Sequence, residues 1–265
     1  MWVELGAIAF SWSYRAFRFL QGGLRALFEG FWMGLLPERA WDLISERSYG
    51  AGKEYTNRRW LDSGLMFWEV LLVEQFFRSG ARVLVAAAGG GREVIALAVR
   101  GFAADGFDCS SSMVAAGVAA LAERGIAAKM LWAPPCEVPE LNCEYGGVIV
   151  GWNGYTYIVP RERRIAFLRK LRALVPEGAP ILISVAKRSP SRAVGWTACV
   201  ANAVRICTGR EPIFEDGTTF EWRPRMQFRR GALEQELQEA GFAPRAFYRW
   251  GDYCAVAGLA KRAAE

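Results

Sequence analysis

The chain contains no histidine. That absence removes Ser-His and Cys-His nucleophilic schemes, together with the side chain that ordinarily titrates near neutral pH. Cysteine occurs six times, at 109, 136, 143, 199, 207 and 254, and never as C-x-x-C. A zinc site would need all-cysteine ligation from scattered positions, so no metal is expected and the thiols read as reduced. There is no polybasic run of nucleic-acid type, no internal repeat and no low-complexity linker. The apolar N-terminus lacks the marks of a signal peptide, with Glu4 where a positive region should stand. Arg15 and Arg18 interrupt it well short of membrane-spanning length. These absences together point to a cytoplasmic protein.

What is present is a chain of 265 residues, 52% hydrophobic and 23% charged, long enough for one large domain or one domain with an appended cap. The net charge of +6 mildly favours acidic ligands or an anionic surface. Eleven tryptophans is a high count. Many lie early (Trp2, Trp12, Trp32, Trp41, Trp60, Trp68), which suggests aromatic walls for a pocket or an interface.

The chain is organised around residues 83–110. An apolar run, Val83-Leu84-Val85, leads into Gly89-Gly90-Gly91. Val94, Ile95, Leu97 and Ala98 then recur at helical spacing until Gly101, and a second short strand ends on Asp108. Strand, glycine turn, helix and acid-terminated strand form the unit that holds the ribose end of a nucleotide-like ligand. Glycines admit the ligand to the backbone, the helix N-terminus offers free N–H groups, and the carboxylate accepts from sugar hydroxyls. A hydride-transfer enzyme would want glycine or alanine where Val94 stands. Gly52-Lys53 is not a P-loop, because Glu54 replaces the metal-binding hydroxyl. Tyr49-x-x-x-Lys53 mimics a reductase pair and reads as a turn.

Residues 2–36 read as one or two amphipathic helices broken near Gly22-Gly23, followed by a short helix from Pro37 and a longer one over 62–77. Strands at 83–87, 103–108, 127–132, 147–151 and 180–185 alternate with helices at 92–99, 111–124 and 160–174, which predicts a parallel sheet with helices on both faces. Beyond Lys187 a helix near 192–207, a strand–turn–strand around Asp216-Gly217, a helix over 231–240 and a hairpin over 244–258 follow. The helix RERRIAFLRKLR reads as a solvated face. Arg223, Arg225, Arg229 and Arg230 divide between surface charge and contact with an anionic substrate.

VLVAAAGGG, GFDCSSSMVAAG, EYGGVIVGWNGYTYI and LRALVPEGAPILIS, with the closing ELQEAGF and hairpin, resemble the class I S-adenosylmethionine-dependent methyltransferases over about residues 80–185. The resemblance implies an α/β Rossmann-like fold: a mostly parallel seven-stranded sheet with helices on both faces and an antiparallel C-terminal hairpin. Residues 79–265 would form that domain, with 187–230 as a substrate-side insertion and 1–78 as a helical cap. It implies S-adenosyl-L-methionine as cofactor and S-adenosyl-L-homocysteine as product. Cofactor contacts would fall to Ala87, Ala88, Gly89, Gly91, Asp108, Cys109, Ser110, Met113, Trp132, Ala133, Gly151 and Trp152. Trp152, Asn153 and Tyr155 would orient the reacting groups, and Tyr55, Trp60, Tyr157 and Arg225 would meet a small-molecule acceptor, with no nucleic acid as partner. The chain departs from the pattern at Val85 and Ala87, where the family has an acid and a glycine, and at Gly146 and Trp132-Ala133, where acids are usual. Those departures motivate a rival: a catalytically degenerate binding or scaffold protein. An RNA or protein methyltransferase ranks below both, since no appended RNA-binding module is visible. For the N-terminus, a cap with Tyr55, Trp60 and Trp68 near the ligand competes with an amphipathic helix lying on a membrane.

Overall fold

The computed structural model describes residues 2–51, 54–188, 193–220, 223–229 and 231–262. Helices α1 (Trp2–Leu35), α2 (Glu38–Ala51), α3 (Arg58–Leu61) and α4 (Phe67–Phe76) precede the sheet. Then β1 (Arg82–Ala86), α5 (Arg92–Val99), β2 (Ala103–Asp108), α6 (Ser111–Glu123), β3 (Met130–Trp132), β4 (Gly147–Val150), α7 (Arg161–Arg172) and β5 (Pro180–Ala186) alternate. The chain continues with α8 (Ala193–Cys207), β6 (Thr218–Phe220), β7 (Pro224–Met226), α9 (Ala232–Glu239), β8 (Phe242–Trp250) and β9 (Tyr253–Ala260).

Seven strands form one sheet in the order β3-β2-β1-β4-β5-β9-β8. Strands β1 to β5 pair in parallel, and β9 runs antiparallel to both β5 and β8. The sheet is therefore mostly parallel, with the C-terminal hairpin closing one edge. Central strands are apolar on both faces because helices cover both: β4 and β5 are buried throughout, whereas β8, at the edge, alternates. Strand order reverses between β1 and β4, and the crevice beyond the carboxyl ends of those strands is where such sheets bind ligands. Val85, at the position of the missing acid, is fully buried among Val83, Ile149 and Leu182.

Several boundaries differ from expectation. α1 is one uninterrupted helix, because Gly23 does not break it but packs against Trp196, 3.5 Å from where a Cβ would stand. The expected helix over 62–77 is shorter at its start. Met66 is extended and its N–H donates to Glu69 Oε2 at 2.6 Å, so the helix begins only at Phe67. The helix from Pro37 runs on to Ala51, so the turn expected at 49–53 is helical up to that residue, while Gly52 and Lys53 lie outside the described residues. β3 is shorter than expected, Met130–Trp132. The small hairpin turns between Phe220 and Pro224, not at Asp216-Gly217. Asp216 instead bonds the guanidinium groups of Arg188 and Arg229.

Candidate active site

The turn after β1 takes left-handed backbone at Ala87, Gly89 and Gly91 (φ 52°, 54° and 91°), which starts α5 sharply. Asp108, at the carboxyl end of β2, spans the neighbouring turns. Its Oδ2 accepts from Gly89 N–H at 2.8 Å and its Oδ1 from Ser110 N–H at 2.9 Å. Burial pushes its pKa up from the ordinary carboxylate value, and those backbone donors oppose the shift. Gly90 is needed for a different reason. A Cβ there would stand 2.5 Å from the carbonyl oxygen of Tyr55, so the segment after α2 lies directly on the glycine turn.

A cavity of about 490 Å³ opens over these residues, within the usual size of a small-ligand site. Its wall includes Ala87, Ala88, Gly89, Asp108, Cys109, Met113 and Ala133. Tyr55 and Trp60 line it from the covering segment, their rings meeting edge to face at 5.5 Å. Glu93, Trp152 and Asn153 line it as well. Trp152 N–H reaches Glu93 Oε1 at 3.3 Å, and its ring packs against Tyr253 at 5.0 Å. Asn153 sits in the left-handed region at φ 53°, its N–H donating to Ser184 Oγ at 3.1 Å. Its Oδ1 is buried and meets no hydrogen-bond donor among the described residues. Trp41, Asp42, Tyr157, Phe214, Arg223 and Arg225 complete the wall. The Arg223 guanidinium lies 3.8 Å from the Tyr157 ring centre, and its charge counters the rise that burial imposes on both Asp42 and Asp108. Burial pushes the Cys109 thiol up to about 12, so it is not a nucleophile near neutral pH.

No protein-family model and no curated protein sequence matches the chain. Solved structures do. A Burkholderia thailandensis 1,6-didemethyltoxoflavin-N1-methyltransferase, with bound 1,6-didemethyltoxoflavin and S-adenosylhomocysteine, superposes with a TM-score of 0.61 over 86% of this chain and 92% of that one, at 17% identity. An S-adenosylmethionine-dependent methyltransferase from Clostridium acetobutylicum gives 0.57 over 77% and 92% at 11% identity. The CcbJ methyltransferase of Streptomyces caelestis gives 0.55 over 72% and 88% at 14% identity. The chain has the class I methyltransferase fold.

Within this methyltransferase fold, most residues chosen from the sequence meet in the one cavity, but not all. Tyr155 does not line it. It is fully buried on the other side of the short 3-10 turn Gly154–Tyr157, stacked on Phe228, with its hydroxyl donating to Glu236 Oε2 at 2.6 Å. Burial and the Glu236 charge raise its pKa well above the phenol value, which removes it from any proton transfer in the cavity. Trp132 is 53% exposed outside the cavity and donates from Nε1 to the Cys109 carbonyl. Ser110 caps α6, Gly91 caps α5 against Met130, and Gly151 N–H closes the β4 end onto Ala86, so these three shape the wall without lining it. Trp68 is stacked on Trp250 at 4.7 Å in the core, away from the site where it was expected. In the helix expected to be a solvated face, Arg164 is turned wholly inward onto Glu236 and Glu215. Arg230 lies outside the described residues.

Sequence patterns do not single out Asp42, Glu93, Arg163 or Phe214 as site residues, yet all stand in the cavity wall, as does Trp41, one of the early tryptophans expected to wall a pocket or an interface. Glu93 carries a weak signal, a carboxylate one residue into the helix that follows the glycine turn. Asp42 carries none, since nothing in PERAWDLISERS distinguishes it from the other charges of a surface helix.

Proposed function

We propose that the chain is an S-adenosylmethionine-dependent methyltransferase acting on a small-molecule acceptor. One observation carries the reading: a single cavity is lined both by the glycine turn and Asp108 and by Trp41, Tyr157, Phe214 and Arg223. The residues present fit the cofactor. Asp108 offers a buried carboxylate for two ribose hydroxyls, and Met113 and Ala133 offer apolar walls for the base. The buried Asn153 Oδ1 lacks a donor that a ligand would supply. The Burkholderia structure, which holds 1,6-didemethyltoxoflavin and S-adenosylhomocysteine together, supports a site that takes cofactor and acceptor. A purely scaffolding role is not favoured, because such a role needs none of these features.

When bound, S-adenosylmethionine supplies an electrophilic methyl group whose leaving group is a neutral thioether. The protein therefore needs no acid for departure, and its main task is to align the acceptor, an effect that reaches about 7–11 kcal/mol. Trp152 and Asn153 do this at the carboxyl end of β4, held by the Glu93 and Ser184 bonds described above. Asp42 is a half-buried carboxylate in the cavity wall. Burial raises its pKa, partly countered by Arg163, so it suits a modest role in receiving the acceptor's proton. Asp42→Asn is expected to lower kcat by less than about a hundredfold, the lower end of general-base contributions. A ten-thousandfold loss with cofactor affinity intact would make Asp42 the base and displace alignment as the main effect.

Glu93 fills the place of the acid missing at Val85. It is almost fully buried in the cavity wall, and among the described residues both bonds to it, from Arg92 and from Trp152 N–H, fall on Oε1. Oε2 is left to accept from the cofactor's ammonium. Calorimetry with S-adenosylhomocysteine tests the function and this role together. Wild-type protein is expected to bind, and Glu93→Gln to bind about tenfold more weakly, the loss of one charged hydrogen bond. Methylthioadenosine, which has no ammonium, should bind both proteins alike. Absence of binding by the wild type at millimolar ligand would refute the methyltransferase reading. An equal loss for both ligands would refute only the role of Glu93.

A further inference from the structure

The 34-residue helix α1 takes almost no part in the cavity, and only one of its faces is satisfied by the fold. Gly23, Ala26, Gly30, Met33 and Gly34 recur at helical spacing and pack against α8. A Cβ on Gly30 would stand 2.7 Å from the Thr197 carbonyl oxygen, and one on Gly34 would overlap the Ala201 carbonyl, so the two backbones touch as closely as small residues allow.

A second apolar face runs along the opposite side. Phe10, Tyr14, Phe17, Leu24, Phe28 and Phe31 follow one another at steps of three, four or seven, and each is at least 45% exposed. Leu20 and Leu27 widen the same stripe. A contiguous aromatic surface of this extent exceeds what a protein leaves in water without a partner. The charges bordering it are mostly of one sign. Between Ala7 and Leu35 the helix carries Arg15, Arg18 and Arg25 against the single acid Glu29, which is already bonded to Arg25 at 2.6 Å. Arg15 lies over the Trp12 ring at 5.8 Å. None of the described helices is long and apolar enough to cross a membrane.

We propose that this face of α1 lies in the plane of a membrane surface rich in anionic lipid headgroups, with Arg15 and Arg18 at the headgroups and the aromatic stripe in the acyl boundary. An apolar stripe rich in Phe, Trp and Tyr with arginines along its edge is the pattern of an interfacial helix. A second copy of the chain fits the charges less well. Pairing two such stripes brings arginine rows together, and this helix offers no acidic row to receive them. The base of α1 also touches the cavity wall, since Met33 belongs to one apolar cluster with Trp41 and Phe214. Docking therefore holds that wall of the cavity close to the lipid surface.

Flotation of the full chain with vesicles of phosphatidylcholine containing about 30% phosphatidylglycerol, against vesicles of phosphatidylcholine alone, tests the proposal. The protein is expected to float with the anionic vesicles and to be retained at least tenfold less by the neutral ones, with retention falling as salt is raised. Phe17→Glu with Phe28→Glu should abolish flotation while leaving the melting temperature and S-adenosylhomocysteine affinity unchanged. Arg15→Gln with Arg18→Gln should remove the preference for anionic lipid. Full-length wild-type protein that stays out of both vesicle fractions overturns the proposal, whatever the variants do. A dimer in light scattering that the glutamate variant dissociates, without vesicle binding by the wild type, overturns it in favour of self-association.

Discussion

Replacing Asp108 with alanine is expected to weaken S-adenosylhomocysteine binding by at least tenfold while the chain still folds. A buried carboxylate reaching two ribose hydroxyls makes charge-assisted hydrogen bonds, worth about 1.5–3 kcal/mol when lost. The same side chain also fixes the turn that the ligand must meet, through Gly89 N–H and Ser110 N–H. Alanine therefore removes both a contact and the shape of the site. Asp108→Asn separates the two: one amide oxygen still accepts from one turn, so the fold should hold better than in the alanine variant while binding remains impaired. Calorimetry reads the affinity, and a thermal melt reads the fold. Unchanged affinity in a folded alanine variant would show that the cofactor is not held at the end of β2.

The largest effect on stability is expected at Arg92, fully buried at the start of α5. Its Nη2 donates to Glu69 Oε1 at 2.9 Å and to Glu93 Oε1 at 2.6 Å, and its Nη1 donates to Glu69 Oε2 at 3.0 Å and to the Gly64 carbonyl at 2.6 Å. Arg92→Leu leaves two buried carboxylates with no cation, and breaking a buried pair this way costs about 3–5 kcal/mol. At about 2–4 °C per kcal/mol for a domain of this size, the melting temperature should fall by roughly 6–20 °C. The pH dependence provides a second signature. Burial, and next the charge of Glu93, lift Glu69 from 4.5 to about 7. Because the folded value lies above the unfolded one, this carboxyl favours the folded state fully below pH 4.5 and loses that contribution as the pH rises towards 7. The Arg92→Leu variant should therefore regain stability on acidification across that window more than the wild type does, and Glu69→Gln should flatten the slope. Melts at several pH values decide it. A loss below about 1 kcal/mol with no added pH dependence would mean that the pair is solvated after all.

Much of this molecule is legible in its amino-acid sequence. The alternation of strand and helix over residues 83–185, the glycine turn and the acid closing the second strand are local patterns, and local patterns survive folding because periodicity and turn chemistry act within a few residues. The parallel core of the sheet follows from them, whereas its seven strands and antiparallel edge are what the family resemblance implies. What the sequence could not carry is the side to which a residue turns once its neighbours are in place. Tyr155 and Tyr157 look equivalent in the chain, yet the 3-10 turn sends the first into the core against Glu236 and the second into the cavity beneath Arg223. Gly23 reads as a helix breaker, and only the close approach of α8 makes it a packing surface. Asp42 and Glu93 became site residues because α2 and α5, distant in sequence, face one cavity. Local propensity determined the elements; the burial of particular faces against particular partners, a long-range energy with no local signature, decided which side chains meet.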